Sequence, residues 1–227
     1  MGVRVKICGI TNLADAKAAV DAGANSLGFN FYQKSLRRIS TADAAQIRSK
    51  LPKEIECVGV FVNALAEDIS SLRAFVRFDA AQLHGDESAD FVANLAKALP
   101  VIKAFRVDAK FTLATLDRFS DAFAFLLDAA RAGQYGGTGQ TTDWDVARRA
   151  AASRRIILSG GLNVENVAEA VRTVRPYAVD VASGLETKPG RKDHAKMKGF
   201  VEEVRRAESD FAQQPENSQQ NPSPRQV

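Results

Sequence analysis

Cysteine and histidine are scarce in this chain of 227 residues, and long hydrophobic runs are absent from it. The two cysteines, Cys8 and Cys57, are too few for a disulfide scaffold and fit a reducing compartment. The two histidines, His84 and His194, lie far apart, so no HExxH motif or Cys/His cluster predicts a metal site. No apolar run approaches the ~18 residues of a membrane span, and the N-terminus lacks the pattern of a secretion signal. We therefore expect a cytoplasmic protein with no metal and no membrane partner.

A strong excess of one charge is also lacking, since the net charge is only +4 and the sequence pI is about 9.1. A basic chain raises the hypothesis of a nucleic-acid partner. The lysines and arginines are scattered, however, and their densest pairs fall in predicted helices or beside them. We interpret them as a solvated surface that attracts anionic metabolites, and we expect no nucleic-acid partner. A basic interaction protein that uses the same scaffold is the non-enzymatic alternative.

What the chain does contain is a regular alternation of short β-rich runs and helical patterns. The first strand is VRVKIC at 3–8, the last is YAVDVASG at 177–184, and a closing helix ends near residue 207. Several strands are continuous apolar runs, as expected where both faces of a parallel sheet are buried. Eight such units predict a single (β/α)8 TIM barrel over residues 1–208. A doubly wound open sheet is the competitor, but it commonly carries its glycine-rich turn after the first strand, whereas the glycines here follow the last three strands.

The composition changes at Ser209. The stretch SDFAQQPENSQQNPSPRQV is rich in Gln, Asn, Ser and Pro and contains one aromatic residue. Such a segment buries too little apolar surface to offset the entropy of ordering. We predict that residues 209–227 form a disordered polar tail.

Two glycine turns follow the predicted seventh and eighth strands. Gly160 and Gly161 come after IILS, and Ser183 and Gly184 come after DVA. Glycines let the backbone approach a ligand closely, and barrels of this kind often bind phosphate after these two strands. The turns therefore predict a phosphate site. A third glycine-rich stretch, GQYGGTGQ at 133–140, is a candidate lid or further phosphate contact.

Side chains that could take part in catalysis occupy the predicted carboxyl ends of other strands, where barrel enzymes have their active sites. Cys8 ends the first strand and Asp128 ends the sixth, directly after the apolar run AFAFLL. An apolar environment favours the protonated form of a carboxyl group, which a general acid needs. Cys57 begins a strand, and we expect it in the core. The remaining polar candidates are the loop 32–38, Asn63, Gln82, His84, and Lys103 or Arg106.

Taken together, these motifs resemble the phosphoribosylanthranilate isomerase family. The matching stretches are VKICGITN (5–12), GFNFYQKSLR (28–37), VGVFVN (58–63), QLHGDE (82–87), GQYGGTG (133–139), DW (143–144), LSGGLNVENV (158–167) and VDVASGLETKPGRKD (179–193). They keep their order and spacing over about residues 3–206.

The resemblance implies an enzyme of tryptophan biosynthesis that converts N-(5-phosphoribosyl)anthranilate to 1-(2-carboxyphenylamino)-1-deoxyribulose 5-phosphate. It implies that Asp128 is the general acid, that Cys8 is the base and that Arg37 faces the anthranilate carboxylate. It also implies that Gly160, Gly161, Ser183 and Gly184 bind the phosphate. No cofactor is expected, and the expected partner is the phosphosugar substrate of a monomer or homodimer.

The sequence departs from the family pattern at a few positions. Arg38 stands beside Arg37 where an aromatic residue is common, so either guanidinium is a candidate for the carboxylate. Gln33 and Leu36 are unusual in their loop, and Ala182 replaces a serine. The enzyme alternatives are another phosphosugar barrel, such as a ribulose-phosphate epimerase, or the histidine-pathway aminoaldose isomerase, either alone or as a second activity.

Overall fold

In a computed structural model, which describes residues 2–108, 111–128 and 142–212, eight parallel strands form a closed barrel in the order β1 to β8. The barrel strands are β1 Arg4–Cys8, β2 Ser26–Asn30, β3 Glu56–Phe61, β4 Ala80–Leu83, β5 Val101–Arg106, β6 Ala124–Asp128, β7 Ile156–Ser159 and β8 Ala178–Val181. After β8 come a short 3-10 helix at Ser183–Leu185 and the antiparallel pair β9 Glu186–Lys188 and β10 Arg191–Lys192. This architecture confirms the predicted TIM barrel and excludes the open sheet.

Eight helices surround the strands in the described part of the chain. They are α1 Leu13–Asp21, α2 Thr41–Arg48, α3 Ala66–Val76, α4 Ala89–Ala96, α5 Leu113–Asp117, α6 Thr142–Ala151, α7 Val167–Val174 and α8 His194–Ala212. Side-chain caps mark several starts: Asn12, Ser40 and Ser88 each accept a hydrogen bond from the backbone N–H three residues on. None of these described helices is long and apolar enough to cross a membrane.

The helix α8 is longer than the sequence predicts. It continues through residues 209–212, which we expected to belong to the tail, so the helix runs four residues past the predicted boundary at 208. The physical reason is that this last turn has partners on α7 and at its end. Asp210 accepts from Arg172 Nε at 2.7 Å, and the Phe211 ring lies 4.7 Å from the Arg175 guanidinium. Residues 213–227, the rest of the predicted tail, lie outside the described part of the chain.

The barrel interior is apolar in its lower half and polar towards the carboxyl ends of the strands. Eight buried residues form an apolar cluster inside the barrel: Val58, Ala80, Ile102, Ala104, Ala124, Leu126, Ile157 and Ala178. Most of the apolar core lies instead between the strands and the helices, which is why the strands are hydrophobic on both faces.

The strand registers place the inward-facing side chains in layers contributed by alternate strands, and the upper layers include Leu126 and Ala104 of this cluster. One layer contains Gly28, Gln82, Leu126 and Asp180. The next layer towards the carboxyl ends contains Cys8, Val60, Ala104 and Ser159, and Asp128 lies one layer higher. The polar members of these layers form the floor and wall of the barrel mouth.

Candidate active site

Cys8 ends β1 inside the barrel, where its side chain is buried. Lys6 lies two residues earlier on the same face, is 2% exposed, and donates to Asp180 Oδ1 at 2.6 Å. Burial raises the pKa of the Cys8 thiol, while the ammonium groups of Lys6 and Lys192 act in the opposite direction without cancelling that effect. Lys6 therefore supplies positive potential to Cys8, but the net environment favours the thiol.

Asp128 ends β6, half-buried, three strands away from Cys8 around the ring. The two residues are linked through the intervening strands. Asp128 lies opposite Ser159 of β7 in the register, and Ser159 Oγ donates to Asp180 Oδ2 of β8 at 3.3 Å. Because Asp180 also accepts from Lys6, a continuous row of polar groups follows the rim of the mouth from the thiol to the carboxyl.

Gln82 and His84 stand at the end of β4, across the barrel from β8. Gln82 Nε2 lies 3.1 Å from His84 Nδ1, and the Gln82 side chain is buried. Its Oε1 atom has no hydrogen-bond partner among the described residues. A buried carbonyl oxygen without a donor carries a desolvation penalty, so this atom is suited to accept a hydrogen bond from a hydroxyl or amine of a bound ligand.

The two predicted phosphate turns come together at the mouth. Gly160 and Gly161 both have positive φ, 95° and 64°. No hydrogen bond among the described residues is donated by their backbone N–H groups. A Cβ on Gly184 would lie 2.0 Å from the carbonyl oxygen of Leu162, so the turns after β7 and β8 are in direct contact. Successive N–H groups in such a turn can form a concave anion site.

Arg37 and Arg38 take different directions from the loop after β2. Arg37 Nε and Nη2 donate to the Glu186 carboxylate at 2.8 Å and 2.7 Å, on the side of the mouth next to β1. Arg38 is exposed and its guanidinium donates to Gln33. Of the two candidate arginines, only Arg37 therefore lies at the mouth.

Some predicted candidates lie elsewhere. Lys103 was a candidate for the mouth, but it points outward from β5 and donates to Glu87 Oε2 at 2.9 Å in a buried ion pair. Glu87 also accepts from the Asn63 N–H, so Asn63 belongs to the loop scaffold. Cys57 is in the core as predicted, and burial raises its pKa to about 12. The stretch 133–140 lies outside the described residues.

Comparison with known families decides the identity of this arrangement. The family model described as N-(5'phosphoribosyl)anthranilate (PRA) isomerase matches residues 5–203. The chain belongs to this family. The match confirms the resemblance read from the motifs, and it identifies the chain as an isomerase of phosphoribosylanthranilate in tryptophan biosynthesis.

Individual PRA isomerases are similar along nearly their whole length. The enzyme of Magnetococcus marinus is 49% identical over 209 residues, which cover 92% of this chain and 98% of the relative. The crystal structure of the Thermotoga maritima PRA isomerase is 44% identical with a TM-score of 0.83, covering 89% of this chain and 98% of that one. A PRA isomerase structure in complex with reduced 1-(o-carboxyphenylamino)-1-deoxyribulose 5-phosphate is 42% identical with a TM-score of 0.80, at the same coverages.

Sequence reasoning missed three residues of the PRA isomerase mouth: Gly28, Glu186 and Lys192. Glu186 and Lys192 lie within the stretch VDVASGLETKPGRKD, but the contact of Glu186 with Arg37 joins segments 149 residues apart, and Lys192 reaches the mouth by donating to Glu186. Gly28 is the register partner of Cys8, so its position beside a predicted strand end was the available signal.

Proposed function

We propose that this chain converts N-(5-phosphoribosyl)anthranilate to 1-(2-carboxyphenylamino)-1-deoxyribulose 5-phosphate by general acid–base catalysis between Cys8 and Asp128. The supporting observation is the placement of these two side chains on the same rim, three strands apart and linked through Ser159, Asp180 and Lys6. A small sugar that lies across the mouth would meet a sulfur on one side and a carboxyl group on the other.

In the proposed mechanism, Asp128 protonates the furanose ring oxygen, and the ring opens to a Schiff base at C1. Cys8, as the thiolate, then removes the proton from C2, and the electrons of that C–H bond move into the C1–C2 bond and neutralise the iminium nitrogen. The resulting enolamine tautomerises to the aminoketose, with a proton added at C1 and the C2 hydroxyl becoming a ketone. The imine itself accepts the electrons, so the reaction needs no cofactor.

Substrate binding divides between the two sides of the mouth. We assign the phosphate to Gly160, Gly161, Ser183 and Gly184, because the N–H groups of the first two donate to no acceptor within the described ranges and the two turns are in contact. We assign the anthranilate carboxylate to Arg37, whose guanidinium lies at the mouth, and not to Arg38, which donates to Gln33 on the surface. A guanidinium fork matches a carboxylate in geometry and charge.

Replacement of the acid or the base tests the mechanism directly. Cys8→Ala and Asp128→Asn should each lose nearly all turnover, measured as the loss of anthranilate fluorescence, while both variants remain folded. Cys57→Ala is the matched control, because this second cysteine lies in the core and should retain turnover. Turnover like that of the unchanged chain in either the Cys8 or the Asp128 variant would remove the mechanism.

The pH dependence of kcat/KM provides a second test of the proposed mechanism. Since burial raises the pKa of Cys8, the thiolate is a minor species at neutral pH. We expect kcat/KM to rise with pH from about 7 through the ordinary thiol pKa of about 8.5 and beyond it, because the raised pKa of Cys8 moves the loss of its proton to higher pH. A profile that is flat over this range would argue against a thiolate base.

The proposed setting is the cytoplasm, which two free cysteines support. The proposed partner is the phosphosugar alone, bound by a monomer or a homodimer. A solved structure of monomers generated from the dimeric Thermotoga maritima enzyme, 41% identical with a TM-score of 0.77, supports the dimer of these two.

A further inference from the structure

The carboxylate of Glu186, the first residue of β9, accepts hydrogen bonds from two positively charged side chains, Arg37 and Lys192. Arg37 donates to it from Nε and Nη2, at 2.8 Å and 2.7 Å. Lys192 Nζ donates to Oε1 at 3.1 Å, and the Gly190 N–H donates to the same oxygen at 3.3 Å. The Glu186 side chain is 4% exposed, so this contact is shielded from water and from salt. We call Glu186, Arg37 and Lys192 the rim triad.

The rim triad is anchored to the phosphate turn and to the first helix. Lys192 Nζ also donates to the carbonyl oxygen of Ala182, directly before Ser183, at 3.0 Å. The Lys192 backbone N–H donates to Asp15 Oδ2 on α1 at 2.9 Å. Lys192 is 1% exposed at its side chain, so its position is determined by these contacts. The triad therefore has a fixed position relative to the proposed phosphate site.

The Arg37 side chain lies against Gly9, the residue after Cys8. A Cβ on Gly9 would be 2.7 Å from Arg37 Cδ, and Gly9 has a φ of +76°. No larger residue fits this position without moving the arginine. The stem of Arg37 thus crosses the chain next to the thiol, and Glu186 binds the guanidinium at its end.

From these contacts we infer that Glu186 is a positioning residue that orients Arg37 for the aryl carboxylate of the substrate, an inference that rests on the proposed role of Arg37. A long arginine side chain has many rotamers, and ordering it on substrate binding would cost affinity. Two hydrogen bonds to one carboxylate fix the plane of the guanidinium in advance. The triad contains two positive charges and one negative charge, so it keeps a net positive charge for the anionic aryl carboxylate.

The test compares two ligands that differ only in the aryl carboxylate. The ligands are reduced 1-(o-carboxyphenylamino)-1-deoxyribulose 5-phosphate and its counterpart without the carboxyl group, and binding of each to the full chain is measured by calorimetry. Glu186→Gln should reduce the preference for the carboxylated ligand about tenfold and leave binding of the other ligand nearly unchanged. The matched control is Glu56→Gln, which removes the partner of Arg4 at 2.9 Å at the opposite end of the barrel and should keep the full preference.

Two further variants separate the possible failures. Arg37→Ala should abolish the preference; if it keeps the preference, the proposed role of Arg37 is wrong. The double variant Glu186→Gln/Lys192→Met avoids an unpaired buried ammonium and should show the same tenfold loss as the single variant. If Arg37→Ala loses the preference while both Glu186 variants keep it, or weaken the two ligands equally, the positioning role of Glu186 is overturned.

Discussion

Gly28 determines the space available to the sulfur of Cys8. The two residues are register partners on β1 and β2, and a Cβ on Gly28 would lie 2.6 Å from Cys8 Sγ. Real side chains do not approach so closely, so any larger residue displaces the thiol. Since Gly28 has no positive φ, its role here is to leave room, not to allow an unusual backbone.

Gly28→Ala therefore tests how finely the thiol must be placed. We expect kcat to fall about a hundredfold, because a misplacement near 1 Å in a reacting group costs about that factor. Gly199→Ala on α8 is the control, because its Cβ would meet Val164 at an ordinary 3.5 Å and turnover should be unchanged. Urea unfolding of both variants checks that the fold is kept. Normal turnover in Gly28→Ala would mean that Cys8 need not occupy the position described here.

At the scale of secondary-structure elements, the last turn of α8 is held by α7. Asp210 pairs with Arg172 across the two helices, and the Phe211 ring packs against Arg175 and the edge of the main core. A cation over an aromatic face contributes about 0.5–1 kcal/mol at an exposed site. Burial of part of a phenylalanine ring adds to this.

Two shortened chains test whether this turn belongs to the domain. A chain ending at residue 208 should be about 1–2 kcal/mol less stable in urea unfolding than a chain ending at residue 212, because it loses the ring contact and the apolar burial of Phe211. Both should have the same turnover, since the turn is far from the mouth. Equal stability of the two chains would favour the domain boundary at 208 that the composition predicts.

The elements also show which features the sequence could predict. The alternation of apolar runs and helical patterns in the sequence predicted all eight strand–helix units. It does so because strands buried on both faces are continuously apolar, whereas the surface helices between them are apolar on one side only. The sequence could not predict whether Lys103 points into the barrel or towards the helices. Apolar residues occur on both faces of β5, so no alternation of polar and apolar residues indicates the direction. The helix α7 begins only at Val167, because Asn163 Oδ1 accepts hydrogen bonds from the N–H groups of Glu165 and Asn166 in a turn before it. Contacts such as that of Glu186 with Arg37 join distant segments and leave no local pattern.

At the scale of the whole molecule, Asp15 joins the first helix to the last units of the barrel. Its carboxylate accepts from the Asn12 side chain and from the Lys192 N–H, and His194 Nε2 lies 2.9 Å from Oδ1. Burial acts to raise the pKa of Asp15, but the hydrogen bonds from Lys192, His194 and Asn12 outweigh it, and the pKa lies below its ordinary value. An ionised carboxylate thus connects α1 to β10 and to the start of α8, next to the rim triad.

This dependence predicts a pH-sensitive part of the stability. Since the pKa of Asp15 is lower in the folded chain than in the unfolded chain, the folded state binds fewer protons, and the stabilisation is present above about pH 4 and lost as the pH falls through the folded pKa. Asp15→Asn should lower the free energy of urea unfolding by about 2 kcal/mol at pH 7, since bonds to a charged group are lost. That difference should narrow as the pH approaches about 3, because the unchanged chain then loses the same contribution. Asp21→Asn, an exposed change on the same helix, should cost little at either pH. The prediction is wrong if the difference in the free energy of unfolding between Asp15→Asn and the unchanged chain stays constant from pH 7 to about 3. In that case the ionised form of Asp15 does not stabilise the contact of α1 with β10 and α8.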